Sequence, residues 1–291
     1  MLYDIRLAIS YDYDSPAGAS RSLLRMLPRG SADQQLLMGE VSTDPMPSWR
    51  RDGVDFFGNA TTEVAHDRPL REIEFRFEGR VQRNAPLQGL DLSPPWPALA
   101  PEIAAIHSVA PDAPHHFLGA SPRLPAAPEI ARFCRSVVSE DMTALTATRA
   151  VSDALHALFD FNPEATEVTT APIDAFRARA GVCQDISHVM ITGLRSLGIP
   201  AGYVSGFLRT EPPKGKPRLE GADAMHAWVT AWCGAETGWM QVDPTNAMDA
   251  GLDHVEVALG RDYGDVAPVK GSLRSSGSHT TTHAVDVVPV G

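Results

Sequence analysis

The spacing of apolar residues changes along the chain, and its first part has the two-residue period of a β-strand. From Tyr3 to Tyr13 every odd position is apolar or aromatic and the even positions are mostly polar, which is typical of a half-buried strand. The same alternation extends from Leu70 to Val81, and shorter candidates lie at residues 20–27, 34–41 and 61–66. Short strands separated by turn residues predict a β-sandwich-like N-terminal domain over residues 1–82.

A proline-rich stretch separates this region from the rest of the chain. Prolines recur throughout residues 83–128, at a density that excludes long helices and central strands. We interpret residues 83–127 as an extended connector that wraps over the following domain, since its apolar residues need a surface to pack against; these are Trp96, Ile103, Ile106 and Phe117. A disordered linker is the alternative.

From Pro128 onward the apolar period becomes helical and later returns to that of strands. Ile130, Phe133, Cys134 and Val137 begin one helical pattern, and the stretch 151–159 repeats it, so two helices are predicted. A third helical face runs from Ile186 to Leu197 and is ended by Gly198 and Pro200. Strand-like segments follow at 202–208, 224–232 and 239–243.

These elements predict an α+β core over residues 128–291, with helices packed on an antiparallel sheet. The stretch from His254 to Gly291 contains two further alternating segments around residues 260–277, which could add strands to this second domain.

Composition narrows the function and the compartment. The 291-residue chain has a formal net charge of −11, which disfavours binding to phosphate backbones or anionic lipid surfaces. The N-terminus shows no signal-peptide pattern, and no apolar run is long enough to cross a membrane. Three cysteines without a CxxC pair argue against a disulfide scaffold and a cysteine-based zinc site. A cytoplasmic protein is therefore expected.

Cys183 is the strongest candidate for a catalytic residue, because it falls in the first turn of the predicted third helix. The unpaired N–H groups and the dipole at a helix start favour a negative charge there. A thiolate, the nucleophilic form of cysteine, is therefore favoured at this position. The same N–H groups could stabilise the oxyanion of a tetrahedral intermediate. A cysteine alone proves nothing, since a nucleophile also requires a base and a partner that orients the base.

His226 and Asp243 could supply these two groups. Each lies on one of two strand-like segments joined by a short link, and antiparallel pairing of these segments could bring Asp243 beside His226. Cys183 would then attack a carbonyl carbon, His226 would transfer protons, and Asp243 would hold the imidazole. Trp228 or Trp239 could shield the pair from water. Taken singly, His226 could be an ordinary strand histidine and Asp243 a turn aspartate before Pro244.

The segments around these residues, in their order along the chain, resemble the transglutaminase-like superfamily, most of all its bacterial branch of cysteine peptidases. The resembling segments are Gly181-Val182-Cys183-Gln184-Asp185, Leu194–Ala201, His226-Ala227-Trp228, and Trp239 with Asp243-Pro244-Thr245-Asn246. The resemblance implies a papain-like core in which Cys183, His226 and Asp243 form the catalytic triad. Residues 1–80 and the segment from Gly260 to Pro268 also resemble regions of those bacterial proteins. No calcium-binding domain of the animal enzymes is visible, so neither a cofactor nor a metal is expected.

The predicted function is cysteine-dependent acyl transfer at an amide bond of a peptide or protein. Hydrolysis of that bond is the favoured reaction. Transfer to an amine, as in a transglutaminase, is one alternative, and a transglutaminase-like binding module without catalysis is the other. The loop 209–223 is a candidate lid. Neither nucleic acid nor membrane is an expected partner, and the oligomeric state is open.

Other residues near these segments are interpreted as secondary. His188 points about 140° away from Cys183 on the helix, which disfavours a metal site of Cys183, His188 and His226. Asp185 is interpreted as complementing the helix dipole, with recognition of a substrate amine as the alternative. Cys233 and Gln184 are placed outside the catalytic set. His115 and His116 are interpreted as surface residues, with a position at the border of the cleft as the alternative. The resemblance alone suggests that the segment Arg261-Asp262-Tyr263 lines the site.

Overall fold

In the computed structural model, which describes residues 1–86, 89–210, 223–274 and 278–290, the alternating N-terminal sequence forms one long strand, β1 (Leu2–Leu24). The other strands of this region are β2 (Gln34–Asp44), β3 (Trp49–Val54), β4 (Ala60–His66) and β5 (Leu70–Arg83). Tyr3, Ile5, Leu7 and Ile9, the odd positions of the first half of β1, are buried. The two-residue period therefore turns one face of the strand toward the core.

The second part of the chain combines helices with an antiparallel sheet. The helices are α1 (Leu99–Ala104), α2 (Pro128–Val137), α3 (Ala144–Leu158), α4 (Pro172–Ala178), α5 (Cys183–Ser196) and α6 (Tyr263–Val266). The strands are β6 (Asp160–Phe161), β7 (Ala180–Gly181), β8 (Ala201–Leu208), β9 (Ala224–Trp232), β10 (Trp239–Asp243), β11 (Met248–Asp249) and β12 (His254–Gly260). Five of them form a sheet in the order β11-β10-β9-β8-β12. The predicted α+β fold of helices packed on an antiparallel sheet is confirmed.

Helix α5 occupies the centre of this second part. All residues from Gln184 to Leu194 are buried, and the helix contacts α2, α3 and α4 as well as strands β8 and β9. A helix covered on every side needs no polar face. In the part of the chain that the structure describes, no helix has the length and apolar character needed to span a bilayer.

The end of the chain returns to the N-terminal sheet. Strands β13 (Val269–Arg274) and β14 (His279–Val290) both pair with β1. The first half of β1 lies between β5 and β14, and its second half lies between β4 and β13. The sequence allowed the alternating segments around residues 260–277 to add strands to the second domain, but β13, which lies in this range, pairs with β1 instead. Alternation identifies a strand but does not say which edge it will pair with.

The proline-rich connector packs against the second part of the chain. Trp96, Leu99 and Phe117 are buried, and the Trp96 indole donates a hydrogen bond to the carbonyl of Ser139 at 3.0 Å. The backbone N–H of Ala144 donates to the carbonyl of Pro94 at 2.8 Å. Such contacts are expected of an ordered connector that packs over the second part of the chain.

Candidate active site

Cys183 is the first residue of α5, directly after a short strand that delivers the chain to the helix. Val182 is extended and precedes the first helical turn, and Gly181 pairs with Phe161 in the parallel ladder of β6 and β7. A Cβ atom on Gly181 would lie 2.7 Å from the Asp185 carboxylate. A glycine is therefore required for the close approach of the chain to the helix start. At this position the N–H groups of Cys183 and Gln184 have no acceptor inside the helix.

Asp185 serves the start of α5. Its Oδ2 accepts hydrogen bonds from the Val182 N–H at 2.9 Å and from the Thr166 hydroxyl at 2.6 Å, and the residue is buried. This supports the interpretation that Asp185 complements the helix dipole and disfavours recognition of a substrate amine. Gln184 donates to the carbonyl of Val168 at 3.0 Å, so it also ties the preceding loop to the helix start.

His226 and Asp243 meet across the antiparallel pair β9 and β10. The His226 Nε2 donates to Asp243 Oδ2 at 2.7 Å. The pairing of Val242 with Val229 sets the register that brings the ends of these strands together. Because Nε2 is bound to the carboxylate, Nδ1 is the nitrogen available to Cys183, whose side chain interacts with the His226 ring.

The electrostatics of this group follow from that arrangement. Burial lowers the pKa of His226, but the Asp243 carboxylate and the Cys183 side chain outweigh it and raise that pKa to about 10. Burial likewise raises the pKa of Asp243, and hydrogen bonds from His226, His254 and Asn246 outweigh it and hold the pKa well below its usual value. A buried carboxylate next to an imidazole therefore remains ionised and favours the imidazolium.

Two residues that sequence reasoning missed complete the surroundings of Asp243. The Asn246 side-chain amide donates to Oδ2 at 2.7 Å, and His254 Nε2 donates to the same oxygen at 3.1 Å. The N–H groups of Thr245 and Asn246 donate to Oδ1 at 2.9 and 3.2 Å. An aspartate before Pro-Thr-Asn is a signal for such an Asx turn. By contrast, no spacing in the sequence linked His254 to this site.

Trp228 shields the His226–Asp243 pair, whereas Trp239 lies elsewhere. The Trp228 indole is fully buried and stacks on the His226 ring, with 6.1 Å between ring centroids. Its Nε1 donates to Gln241 Oε1 at 2.7 Å. Trp239 packs against Phe117 of the connector instead. Of the two tryptophans proposed as shields, only Trp228 contacts the histidine.

The secondary candidates lie in other surroundings. His188 is buried against Tyr203 and accepts a hydrogen bond from the Tyr263 N–H at 3.2 Å. Burial raises the pKa of the Cys233 thiol to about 12. His116 packs on Phe56, and His115 packs on His116.

The segment suggested by resemblance to line the site makes structural contacts of its own. Arg261 forms a bidentate pair with Asp265, and Asp262 accepts hydrogen bonds from the N–H groups of Arg123 and Gly264. Of the candidate lid 209–223, residues 211–222 lie outside the described residues. At the base of that loop, Thr210 donates from its N–H and its hydroxyl to Asp223 Oδ1, each at 2.8 Å.

Two family models match separate parts of the chain. Residues 131–244 match the model of the transglutaminase-like superfamily core, a range that contains Cys183, His226 and Asp243. Residues 3–82 match the model of the bacterial transglutaminase-like N-terminal region. His254 lies outside both matched ranges.

Relatives and a solved structure extend the similarity to the whole chain. An uncharacterized protein of Mycobacterium tuberculosis is 30% identical over 297 residues, covering 99% of this chain and 92% of the relative. An uncharacterized protein of Mycobacterium leprae is 31% identical over 280 residues, covering 95% of each chain. The crystal structure of a putative cysteine protease from Cytophaga hutchinsonii matches with a TM-score of 0.76 at 19% identity, over 99% of this chain and 90% of that one. At that identity the structural match shows the shared fold.

Proposed function

This chain belongs to the transglutaminase-like superfamily, and we propose on that premise that it is a cysteine-dependent enzyme that acts on amide bonds. Cys183 is the proposed nucleophile, His226 the proton-transfer group and Asp243 the residue that orients the imidazole. The observation that carries the proposal is the bond from His226 Nε2 to Asp243 at 2.7 Å, because it leaves Nδ1 for the thiol at the start of α5.

The first half of the reaction forms a thioester. The Cys183 thiolate attacks the carbonyl carbon of the amide, and the backbone N–H groups of Cys183 and Gln184, which have no acceptor inside the helix, would donate to the resulting oxyanion. The C–N bond then breaks, and His226 in its imidazolium form gives its proton to the leaving amine. The acyl group remains on Cys183 and the amine departs.

The second half releases the acyl group. A water molecule attacks the thioester while His226 takes one of its protons, so that a carboxylic acid leaves and the thiolate–imidazolium pair is restored. If an amine takes the place of water, the product is a new amide. We favour hydrolysis of a peptide or protein amide, and the name given to the Cytophaga hutchinsonii protein is consistent with it. Amine transfer is the second outcome of the same chemistry.

We further propose that the protein works in a reducing compartment such as the cytoplasm. Cys134, Cys183 and Cys233 are all free thiols, and the proposed chemistry needs Cys183 reduced. A nucleophilic thiolate in an oxidising compartment would compete with disulfide formation.

Alkylation and activity assays test the proposal together. Iodoacetamide should label Cys183 near neutral pH faster than it labels a free model thiol, because the helix start and His226 favour the thiolate. Hydrolysis of a peptide mixture and incorporation of a dansyl amine into protein, measured side by side, separate the two reactions. Cys183→Ala should abolish labelling and both activities.

Cys233→Ser is the matched control, because that thiol is buried away from His226. This variant should retain the labelling rate and the activity of the natural chain. Labelling of Cys183 no faster than that of a model thiol would reject catalysis and leave the domain as a binding module.

A further inference from the structure

His254 is a second imidazole on the Asp243 carboxylate. It is the first residue of β12, is 1% exposed and donates from Nε2 to Asp243 Oδ2 at 3.1 Å. The same oxygen accepts the bond from His226. The carboxylate therefore lies between two imidazoles, with ring centroids 6.1 Å apart.

The backbone around His254 determines which of its nitrogens carries the proton. The Gly251 N–H donates to His254 Nδ1 at 3.2 Å, and an N–H group can only donate. His254 Nδ1 must therefore be without a proton, which places the proton of a neutral ring on Nε2. The His254 backbone N–H in turn donates to the Gly251 carbonyl at 3.2 Å, so a second hydrogen bond closes this turn.

The same tautomer disfavours a metal at this place. One nitrogen or oxygen from each of His226, Asp243 and His254 lies within 4.8 Å of the others, a spacing that a metal ion could bridge. A metal on His254 Nε2 would require the ring proton on Nδ1, where it would point at the Gly251 N–H. Asp243 and His254 are also almost fully buried, so an exchangeable ligand would have little access.

We propose that His254 is a positioning residue, a neutral Nε2–H donor that holds the Asp243 carboxylate in place against His226. The inference rests on the proposed function, because its consequence is the orientation of the imidazole toward Cys183. Oδ1 is held by backbone N–H groups of the turn after β10. Oδ2 is held by side chains on three segments, and His254 is the one that comes from the far edge strand of the sheet.

The burial of Asp243 makes this donor consequential. A buried carboxylate that loses a hydrogen-bond donor binds a proton more readily or turns toward another donor. Either change weakens its hold on the His226 ring. The bond from His254 is among the causes that keep the pKa of Asp243 below its usual value.

Two substitutions separate positioning from simple support of the turn. His254→Gln places an amide nitrogen near the position of Nε2, so it keeps a donor to Asp243 and loses the acceptor for Gly251. His254→Asn places an amide oxygen near the position of Nδ1, so it keeps that acceptor and loses the donor. We expect iodoacetamide to label Cys183 about tenfold more slowly in the Asn variant and at close to the natural rate in the Gln variant.

Nuclear magnetic resonance of the full chain with labelled histidines gives the direct readout. In the natural chain, His254 should show the Nε2–H tautomer. His226 should show a strongly downfield Nε2–H proton that moves in the Asn variant and is restored in the Gln variant. Thermal melting identifies any variant that fails to fold, and the tautomer in the natural chain tests the proposal without a variant.

Other labelling patterns separate positioning of Asp243 from simple support of the turn. Equal labelling rates in all three proteins, or slow labelling in the Gln variant alone, would mean that His254 only supports the turn. If both variants are slow, an unchanged His226 Nε2–H proton in the Asn variant rejects positioning, whereas a shifted one supports it. An Nδ1–H tautomer, or a metal in the purified protein that depends on His254, also rejects it. If Cys183 of the natural chain is unreactive, the proposed function fails, whereas the tautomer and the His226 proton still test His254.

Discussion

His226 and His188 are both buried, at 8% and 2% exposure, and their surroundings shift their pKa values in opposite directions. Burial lowers the pKa of His188 to about 4, and its Nε2 accepts a hydrogen bond from a backbone N–H. Burial also lowers the pKa of His226, but Asp243 at 2.7 Å and Cys183 raise it to about 10. The charge and hydrogen bonding next to a buried ring therefore decide its protonation, and only His226 has a carboxylate in direct contact.

The largest expected difference between the two histidines is in the rate of amide hydrolysis when each is replaced with glutamine. His226→Gln should slow amide hydrolysis by roughly 10³-fold, because it removes the proton-transfer group. His188→Gln should leave the rate within a few-fold, since the glutamine oxygen can accept the Tyr263 N–H in place of the ring. Steady-state rates on one peptide substrate measure both, and equal losses in the two variants would contradict the assignment of roles.

Removing the carboxylate should bring His226 closer to the behaviour of His188. Asp243→Asn removes a cause that raises the pKa of His226, so the alkaline limb of the pH profile of amide hydrolysis, which requires the imidazolium, should move to lower pH. The rate at neutral pH should fall by about 10- to 100-fold, because the imidazolium and its orientation are both lost.

Asp262→Asn is the matched change near His188, whose pKa Asp262 raises without overcoming burial. It should leave the pH profile of amide hydrolysis unchanged. An unshifted alkaline limb in Asp243→Asn would show that Asp243 does not control His226.

The two histidines should also make stability depend on pH in different windows. The folded pKa of His188 lies below that of the unfolded chain, so its contribution is present above about pH 6.5 and is lost as the pH falls toward 4, by roughly 3 kcal/mol. The folded pKa of His226 is raised, so its contribution is present below about pH 6.5 and is lost as the pH rises through about 10.

Urea unfolding across this pH range measures both contributions. His188→Gln should reduce the loss of stability on the acidic side alone, and Asp243→Asn should flatten the alkaline side. An altered alkaline side in His188→Gln, or an unaltered alkaline side in Asp243→Asn, would refute the assignment of that shift.

The smallest expected effect concerns the aromatic cover of His226. Trp228→Phe leaves a ring beside His226 and removes the bond to Gln241 Oε1, at a cost of about 1 kcal/mol in unfolding free energy. The alkylation rate should change by several-fold. Trp239→Phe loses a comparable bond to the Asp112 carbonyl and should lower stability without affecting Cys183. Identical alkylation rates in the two variants would show that Trp228 has no part in the reactivity of Cys183.

Local patterns in the sequence predicted much of what surrounds Cys183. The helical face after Cys183 predicted α5, and the two strand-like segments predicted the pairing that brings Asp243 to His226. These elements are close in sequence, joined by a tight link, and their period is decided by burial of one face. The role of Asp185 at the helix start could likewise be predicted, because its partner Val182 lies three residues before it in the sequence.

Contacts between distant segments could not be read in this way. The alternation around residues 260–277 predicted a strand where β13 forms, but its pairing with β1, like that of β14, depends on which sheet edge the rest of the chain leaves open. His254 reached Asp243 through the place of β12 at the far edge of the sheet. Similarly, the choice of Trp228 over Trp239 as the shield depended on where the connector packs.

The sequence by itself determined the strand and helix periods, the position of Cys183 at a helix start and its resemblance to a family with a Cys–His–Asp site. Those features depend on which residue types stand within a few positions of one another in the sequence. Only the tertiary structure decided that Asp243 lies between two imidazoles and that the surroundings of His226 and His188 shift their pKa values in opposite directions. Desolvation and hydrogen bonding act through space, so they are set by segments that the folded chain brings together.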